Sequence, residues 1–300
     1  MIEETRPFVK WAGGKYNLSE VIINESSDLI NFDNFNTYID PFVGGGGMFF
    51  SIIKKFSFDR LIISDINEEL INVYIQIRDN LNELVSFLNK IQNEYNYFIS
   101  MDEKKDYYYQ LRTKFNENIS KGNLNAFHAS LFIALNKLDF NGLYRVNLKG
   151  LFNVPFGKRI TANLYDIENL KSVSSVLKRT EIYVQDYKKC IDLVDEKSLV
   201  YFDSPYRPLP GSSSFTSYTK SDFNDDDQKE LAVIANRVRL KGGTFILSNS
   251  DPKQTNKKDN FFDELYDDCI IKRISASRNI GANSKSRGNV SEILVIGKGD

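Results

Sequence analysis

The sequence predicts an α/β fold interrupted by a helical insertion. Two observations carry that expectation. Short apolar runs of strand length recur at residues 37–39, 60–64, 181–184, 199–202, 244–248 and 293–296, the pattern of buried strands. From about residue 68 to 160 that pattern stops, and a helical spacing rich in Asn, Tyr and Lys replaces it. The simplest arrangement is one sheet-containing domain made of residues 1–67 and 163–300, with residues 68–162 as an insert that ends in a hairpin.

In chain order, the strands at 37–39 and 60–64 each run into an aspartate, Asp40 and Asp65. Asp40-Pro41-Phe42-Val43-Gly44-Gly45-Gly46-Gly47-Met48 follows the first strand and precedes an apolar, helix-like run. Glycines there let backbone come close to a ligand, and the helix start behind them offers free N–H groups. Such a loop suits NAD, FAD or S-adenosylmethionine, although a surface turn has the same composition. Asp65, about 20 residues further on, stands where an acid hydrogen-bonds a ribose hydroxyl in sites of this kind. Asn67 reads as a helix N-cap, and Leu70, Val73, Tyr74, Ile77, Leu81, Leu84, Val85 and Leu88 follow it at helical spacing. The insert closes on Phe140-Asn141-Gly142-Leu143 and Leu148-Lys149-Gly150, read as turns around a short hairpin.

Composition removes several classes of function. No apolar run approaches the ~18 residues that span a bilayer, and the polar start Met1-Ile2-Glu3-Glu4 is no signal peptide, so no membrane partner and a cytoplasmic location are expected. Cys190 and Cys269 lack a C-x-x-C partner and His128 is the sole histidine. A zinc site, a disulfide framework and a Ser/His/Asp triad are therefore not expected, nor is any other metal. Net charge is −1, but it is unevenly spread. Lys137, Arg145, Lys149, Lys158 and Arg159 stand against the single acid Asp139, and Lys272, Arg273, Arg278, Lys285 and Arg287 have no acid among them. Residues 222–230 and 263–268 are acidic. Local basic patches on a neutral body are compatible with a DNA-binding face.

The most informative stretch is Tyr201-Phe202-Asp203-Ser204-Pro205-Tyr206, directly after an apolar strand. It supplies a carboxylate, a carbonyl-rich turn and an aromatic ring, the parts needed to hold a planar exocyclic amine. A Pro-containing turn after a strand is also an ordinary connection, so the chemistry rests on its companions. Lys10-Trp11-Ala12-Gly13-Gly14-Lys15 is not a phosphate-binding P-loop, because the required Gly and Ser/Thr spacing is missing. Trp11 suits either the core or the wall of a ligand site.

Taken in order, these segments resemble the DNA adenine methyltransferases of the Dam type, which methylate the 6-amino group of adenine in GATC. The resemblance runs over nearly the whole chain. It is carried by Phe8-Val9-Lys10-Trp11-Ala12-Gly13-Gly14-Lys15, the 40–46 loop, Ser64-Asp65-Ile66-Asn67, and Asn141-Gly142-Leu143-Tyr144-Arg145-Val146-Asn147 with Phe152-Asn153-Val154-Pro155-Phe156-Gly157. Asp203-Ser204-Pro205-Tyr206, Phe215-Thr216-Ser217-Tyr218 and Leu247-Ser248-Asn249 complete the set. The resemblance implies a Rossmann-like, S-adenosylmethionine-dependent methyltransferase sheet with an inserted helical target-recognition domain. It places Trp11, Lys15, Asp40, Phe42, Gly44, Gly45, Gly46, Asp65 and Asp203 at the cofactor, and Asp186 and Tyr187 near its adenine.

The implied reaction is direct in-line transfer to an extruded adenine. Asp203 and a turn carbonyl, with Ser204 and Pro205 shaping the turn, accept the amine hydrogens while Tyr206 stacks on the base. The family usually has proline where this chain has Ser204, so an active but slower enzyme is expected, with an inactive DNA-binding homologue as the alternative. For target reading, Arg145 suits guanine, Leu143 and Pro155 suit thymine methyls, Asn141 and Asn147 suit positioning of the hairpin, and Lys137, Lys149 and Lys158 suit phosphates. The expected partner is double-stranded DNA, bound by a monomer, with a companion restriction endonuclease on the same site. Methylation of another planar amine, in cytosine or in a protein glutamine, is the rival enzymatic reading. A hydride-transfer enzyme leaves residues 203–206 unexplained.

Overall fold

A computed structural model describes residues 5–207, 223–277 and 289–299. The segment Phe215-Thr216-Ser217-Tyr218 and the basic residues Arg278, Lys285 and Arg287 lie outside the described residues. Seven strands form one sheet: β1 (Thr37–Asp40), β2 (Arg60–Asp65), β3 (Thr180–Val184), β4 (Ser198–Phe202), β5 (Thr244–Ser250), β6 (Ile270–Ser277) and β7 (Asn289–Gly297). Their order is β3-β2-β1-β4-β5-β7-β6. The first five run parallel to one another, and β7 runs antiparallel to both β5 and β6.

The strand pattern explains the layers. Successive side chains of a strand point to opposite faces, and parallel strands need both faces covered. Leu199 and Tyr201 of β4 enter one core while Val200 and Phe202 enter the other, and Tyr38 and Ile39 of β1 divide the same way. The first core is closed by α1 (Ser19–Ser27), α2 (Gly47–Lys55), α3 (Glu68–Asp79) and α7 (Ile167–Leu177), and it continues into α4 (Leu81–Tyr97), α5 (Met101–Lys121) and α6 (Ala126–Leu138). The second is closed by α8 (Asp225–Leu240), α9 (Phe261–Leu265) and a 3₁₀ turn over Tyr187–Leu193. The α3 helix packs on β2, β3 and α7 as well as on α6.

Local signals decide the element ends. Asn67 caps α3, its Oδ1 accepting from the Leu70 N–H at 2.8 Å, and Ser100 with Glu103 forms a capping box on α5. Three expectations are corrected. The helical run from Leu70 to Leu88 is two helices, broken at Asn80, whose backbone leaves the helical region at φ −131° and ψ 36°; apolar spacing continues across the break, so periodicity alone does not show it. The 140–157 segment is a paired loop without strands, joined by the isolated antiparallel bridges Asp139↔Phe156 and Val146↔Phe152. Finally, β6 was read only as part of a basic stretch; it lies at the sheet edge, where charged residues such as Lys272 and Arg273 are tolerated and blur the strand pattern.

Candidate active site

The strand order reverses between β1 and β4. In an open α/β sheet, a crevice forms outside the carboxyl ends of the strands at such a reversal. Both chemistry-bearing segments leave the sheet there: the glycine loop after β1 and the Asp203 turn after β4. Gly44 takes φ +49°, and a Cβ on it would sit 2.7 Å from Trp11 Cδ1. The residues from Trp11 onward therefore lie directly on the loop, and Gly47, where a Cβ would meet the Tyr16 nitrogen at 2.7 Å, continues that contact. Tyr74 ties the loop from below by donating its hydroxyl to the Gly44 carbonyl at 2.9 Å.

Asp65, at the end of β2, accepts the Gly44 N–H at 3.1 Å and the Asn67 N–H at 2.9 Å. Burial pushes its pKa up to about 6 despite those donors. Asp40 is 2% exposed, and burial, with Asp203 and Asp65 nearby, raises its pKa well above the carboxylate range. Lys15, 5% exposed, meets Asp203 Oδ1 at 2.9 Å and also donates to the Gly13 carbonyl at 2.7 Å. Burial raises the Asp203 pKa; Lys15 pulls it back, Glu292 pushes it up again, and a bond from the Ser248 hydroxyl at 3.4 Å favours the charged form. The Lys15 ammonium also lies 4.2 Å from the Tyr206 ring centroid. Tyr206 donates its hydroxyl to Glu292 Oε2 at 2.6 Å, so the ring is fixed from both ends.

Aromatic rings line the neighbouring wall. Phe42 stacks on Tyr187 with centroids 5.0 Å apart, and Phe223 meets both edge-on or tilted. Asp186 caps the turn that carries Tyr187, accepting the Lys188 N–H at 2.9 Å. On the opposite side Trp11 stacks on Tyr144 at 5.7 Å and Phe132 at 6.4 Å. Trp11 thus packs between residues of 68–162 and the glycine loop.

Next to the crevice, Asn141 and Gly142 take φ of 69° and 67°, the Asn-Gly turn read from the sequence, and Asp139 Oδ1 accepts the Gly142 N–H at 2.7 Å. Asn136 joins this turn to the Lys10 segment: its amide accepts the Lys10 N–H at 2.8 Å and donates to the Lys10 and Gly142 carbonyls. Arg145 donates to Asn153 Oδ1 at 2.7 Å, which aims its guanidinium across the pair. Asn147 closes the tip by accepting the Lys149 and Leu151 N–H groups. Lys149, Pro155 and Lys158 are exposed, while Leu143 and Lys137 are partly buried. Lys137 lies with Arg6 in a cleft of about 240 Å³, where burial, Lys10 and Arg6 lower its pKa.

A model of the D12 class of N6 adenine-specific DNA methyltransferases matches residues 11–280. The chain belongs to that class. Relatives agree over almost full length. The type II methyltransferase M.MjaIII of Methanocaldococcus jannaschii is 40% identical, covering 98% of this chain and 99% of its own. The DNA adenine methylases of Haemophilus influenzae and Escherichia coli are 33% and 30% identical, over 97% and 99% of this chain and 93% and 97% of theirs. The protein is thus an adenine-specific DNA methyltransferase, and a methyl donor is part of its chemistry. Among the described residues no helix is long and apolar enough to cross a membrane, and no His, Cys, Asp or Glu group of metal-holding size occurs.

Sequence reasoning missed Glu292, Asn136 and the pairing of Tyr201 with Ser248 in this D12-class site. Glu292 directly precedes the apolar run Ile293–Ile296 of β7, and a buried acid inside a strand is the signal that marks it. Tyr201 and Ser248 share a buried hydrogen bond of 2.8 Å beneath Asp203.

Proposed function

We propose that the protein transfers a methyl group from S-adenosylmethionine to N6 of an adenine rotated out of duplex DNA, within GATC. The observation that carries this reading is the placement of Asp203 at the β1–β4 crevice, ion-paired to Lys15 and flanked by the Tyr206 ring. The donor set fits the cofactor. Asp203 and Asp65 lie near enough to raise the Asp40 pKa, and a ligand carrying ammonium and sulfonium charges favours the charged carboxylates there. Asp65 is an acceptor for ribose hydroxyls, the 40–46 loop and Trp11 enclose the methionine end, and Asp186 with the Phe42–Tyr187 wall takes the adenine. When bound, S-adenosylmethionine supplies an electrophilic methyl on a positively charged sulfur.

Asp203 accepts a hydrogen bond from one amine N–H and the Ser204 carbonyl from the other, which turns the nitrogen lone pair toward the methyl. The proton the amine loses on methylation leaves through the Asp203 carboxylate. Tyr206, immobilised by Glu292, stacks on the extruded base and offsets part of the unstacking cost of about a few kcal/mol. Residues 68–162 act as the reading insert. Arg145 addresses guanine, Leu143 and Pro155 the thymine methyls, with Asn141 and Asn147 shaping the loop and Lys137, Lys149 and Lys158 meeting phosphates. Resemblance of the 141–157 segment supports GATC, and the type II relative supports a companion endonuclease acting on the same site.

The test is incubation with methyl-labelled S-adenosylmethionine and two duplexes, one with GATC and one with that site scrambled. Label recovered as N6-methyladenine from the first duplex alone is the expected result. Label as methylcytosine overturns the adenine assignment, and equal labelling of both duplexes overturns GATC.

A further inference from the structure

After Asp203 the chain makes a turn through Ser204, Pro205, Tyr206 and Arg207, and two fully buried amides grip it. Asn249 of β5 and Gln228 of α8 are each 0% exposed. Asn249 Oδ1 accepts the Arg207 N–H at 3.0 Å and the Ser250 N–H at 2.9 Å. Its Nδ2 donates to Gln228 Oε1 at 3.3 Å and to Ser204 Oγ at 3.4 Å. Gln228 in turn donates to the Pro205 carbonyl at 2.9 Å, and the Ser250 hydroxyl donates to the Arg207 carbonyl at 2.8 Å. On the outer side the Arg207 guanidinium pairs with Asp225 at 2.7 Å and Asp259 at 2.8 Å, over the Phe261 ring at 4.2 Å.

Serine at 204 leaves φ free, where a proline fixes it covalently. Glu292 and Lys15 hold the Tyr206 ring, but the Ser204 carbonyl, asked to act on the substrate, depends on something else for its position. A buried amide pair anchored in a central strand and a helix supplies it, because such amides are costly to leave unpaired and so hold their partners to one geometry. We infer that Asn249 and Gln228 are positioning residues that hold the 204–207 turn in its reactive shape. This rests on the methyl-transfer reading above, in which the turn touches the amine.

The experiment compares wild type, Asn249→Ala and Gln228→Leu, each with and without Ser204→Pro. It reads kcat, KM for S-adenosylmethionine, thermal midpoint and hydrogen exchange at the Arg207 amide. A displaced reactive group costs on the order of 10²-fold, and that loss of kcat is expected for Asn249→Ala with KM changed by less than about threefold. Gln228→Leu keeps the volume and gives a smaller loss in the same direction, so it carries the test if Asn249→Ala does not fold. Ser204→Pro is expected to restore about tenfold of either loss and to slow Arg207 exchange, without restoring the thermal midpoint. Undiminished kcat in a folded variant, or a loss that proline leaves untouched, overturns the brace. If the wild type transfers no methyl, the methyl-transfer reading falls, while faster Arg207 exchange in the variants still supports the brace and unchanged exchange still overturns it.

Discussion

In the crevice between β1 and β4, backbone position comes from the sheet: Asp40, Asp65 and Asp203 sit at or just beyond the ends of strands whose neighbours hold them in ladder register. Residues 139–160 have no ladder, and side chains from α4 and α5 hold them instead. Tyr108 donates to the Val154 carbonyl at 2.8 Å, Asn116 bonds both the N–H and the carbonyl of Phe152 at 2.8 and 3.0 Å, and Lys104 donates to the Ile160 carbonyl at 2.5 Å. A ladder spreads the task of holding a shape over many equivalent backbone bonds, whereas props concentrate it in single side chains. Backbone position in the crevice therefore depends little on any one side chain, whereas the 139–160 loop depends on each prop, and it meets the crevice through Trp11 on Tyr144 and through Asn136.

The difference is open to attack from either side. The largest expected effect comes from Asp203→Ala, which removes the proposed amine acceptor from a backbone that stays in place. Transfer should fall by about 10³-fold or more, while S-adenosylmethionine binding weakens less. Turnover near the wild-type rate in a single-turnover assay would remove Asp203 from the mechanism.

Asn116→Ala attacks the props. It strands the N–H and carbonyl of Phe152 at a cost of about 1–3 kcal/mol. Preference for the cognate over the scrambled duplex should drop about tenfold, with the dissociation constant for S-adenosylmethionine unchanged. Equal weakening of cofactor and DNA in paired titrations would show that the two regions are not held independently.

The smallest effect is a pH dependence confined to the crevice. Burial pushes the Asp65 pKa up to about 6, above its usual ~3.9. Donation from ribose hydroxyls favours the charged form, so binding releases a proton wherever Asp65 starts out protonated. Affinity for S-adenosylmethionine should therefore be flat well above pH 6 and fall as pH drops through it, by up to about tenfold per unit. Asp65→Asn should bind more weakly and lose that slope in calorimetric titrations. DNA affinity should not follow the same titration.

Much of this protein was legible as sequence because local chemistry decided it. The glycines at 44–47, the Asn67 cap, the positive-φ Asn141-Gly142 turn and the strand runs ending on Asp40 and Asp65 all answer to interactions within a few residues, and a linear pattern records those. The order of the reactive motifs added the family. Three kinds of feature depended on tertiary structure. The β6 strand needed its partner, since edge strands tolerate charges that hide their period. The break at Asn80 needed the packing of α3 against the sheet and α4 against α6. The site's internal supports, Lys15 on Asp203, Glu292 on Tyr206 and Asn249 on the 204–207 turn, join segments brought together only when the strand order reverses at β1 and β4. Sequence spacing carries no trace of that meeting, because the distance between two strand ends is set by sheet order and not by the length of chain between them.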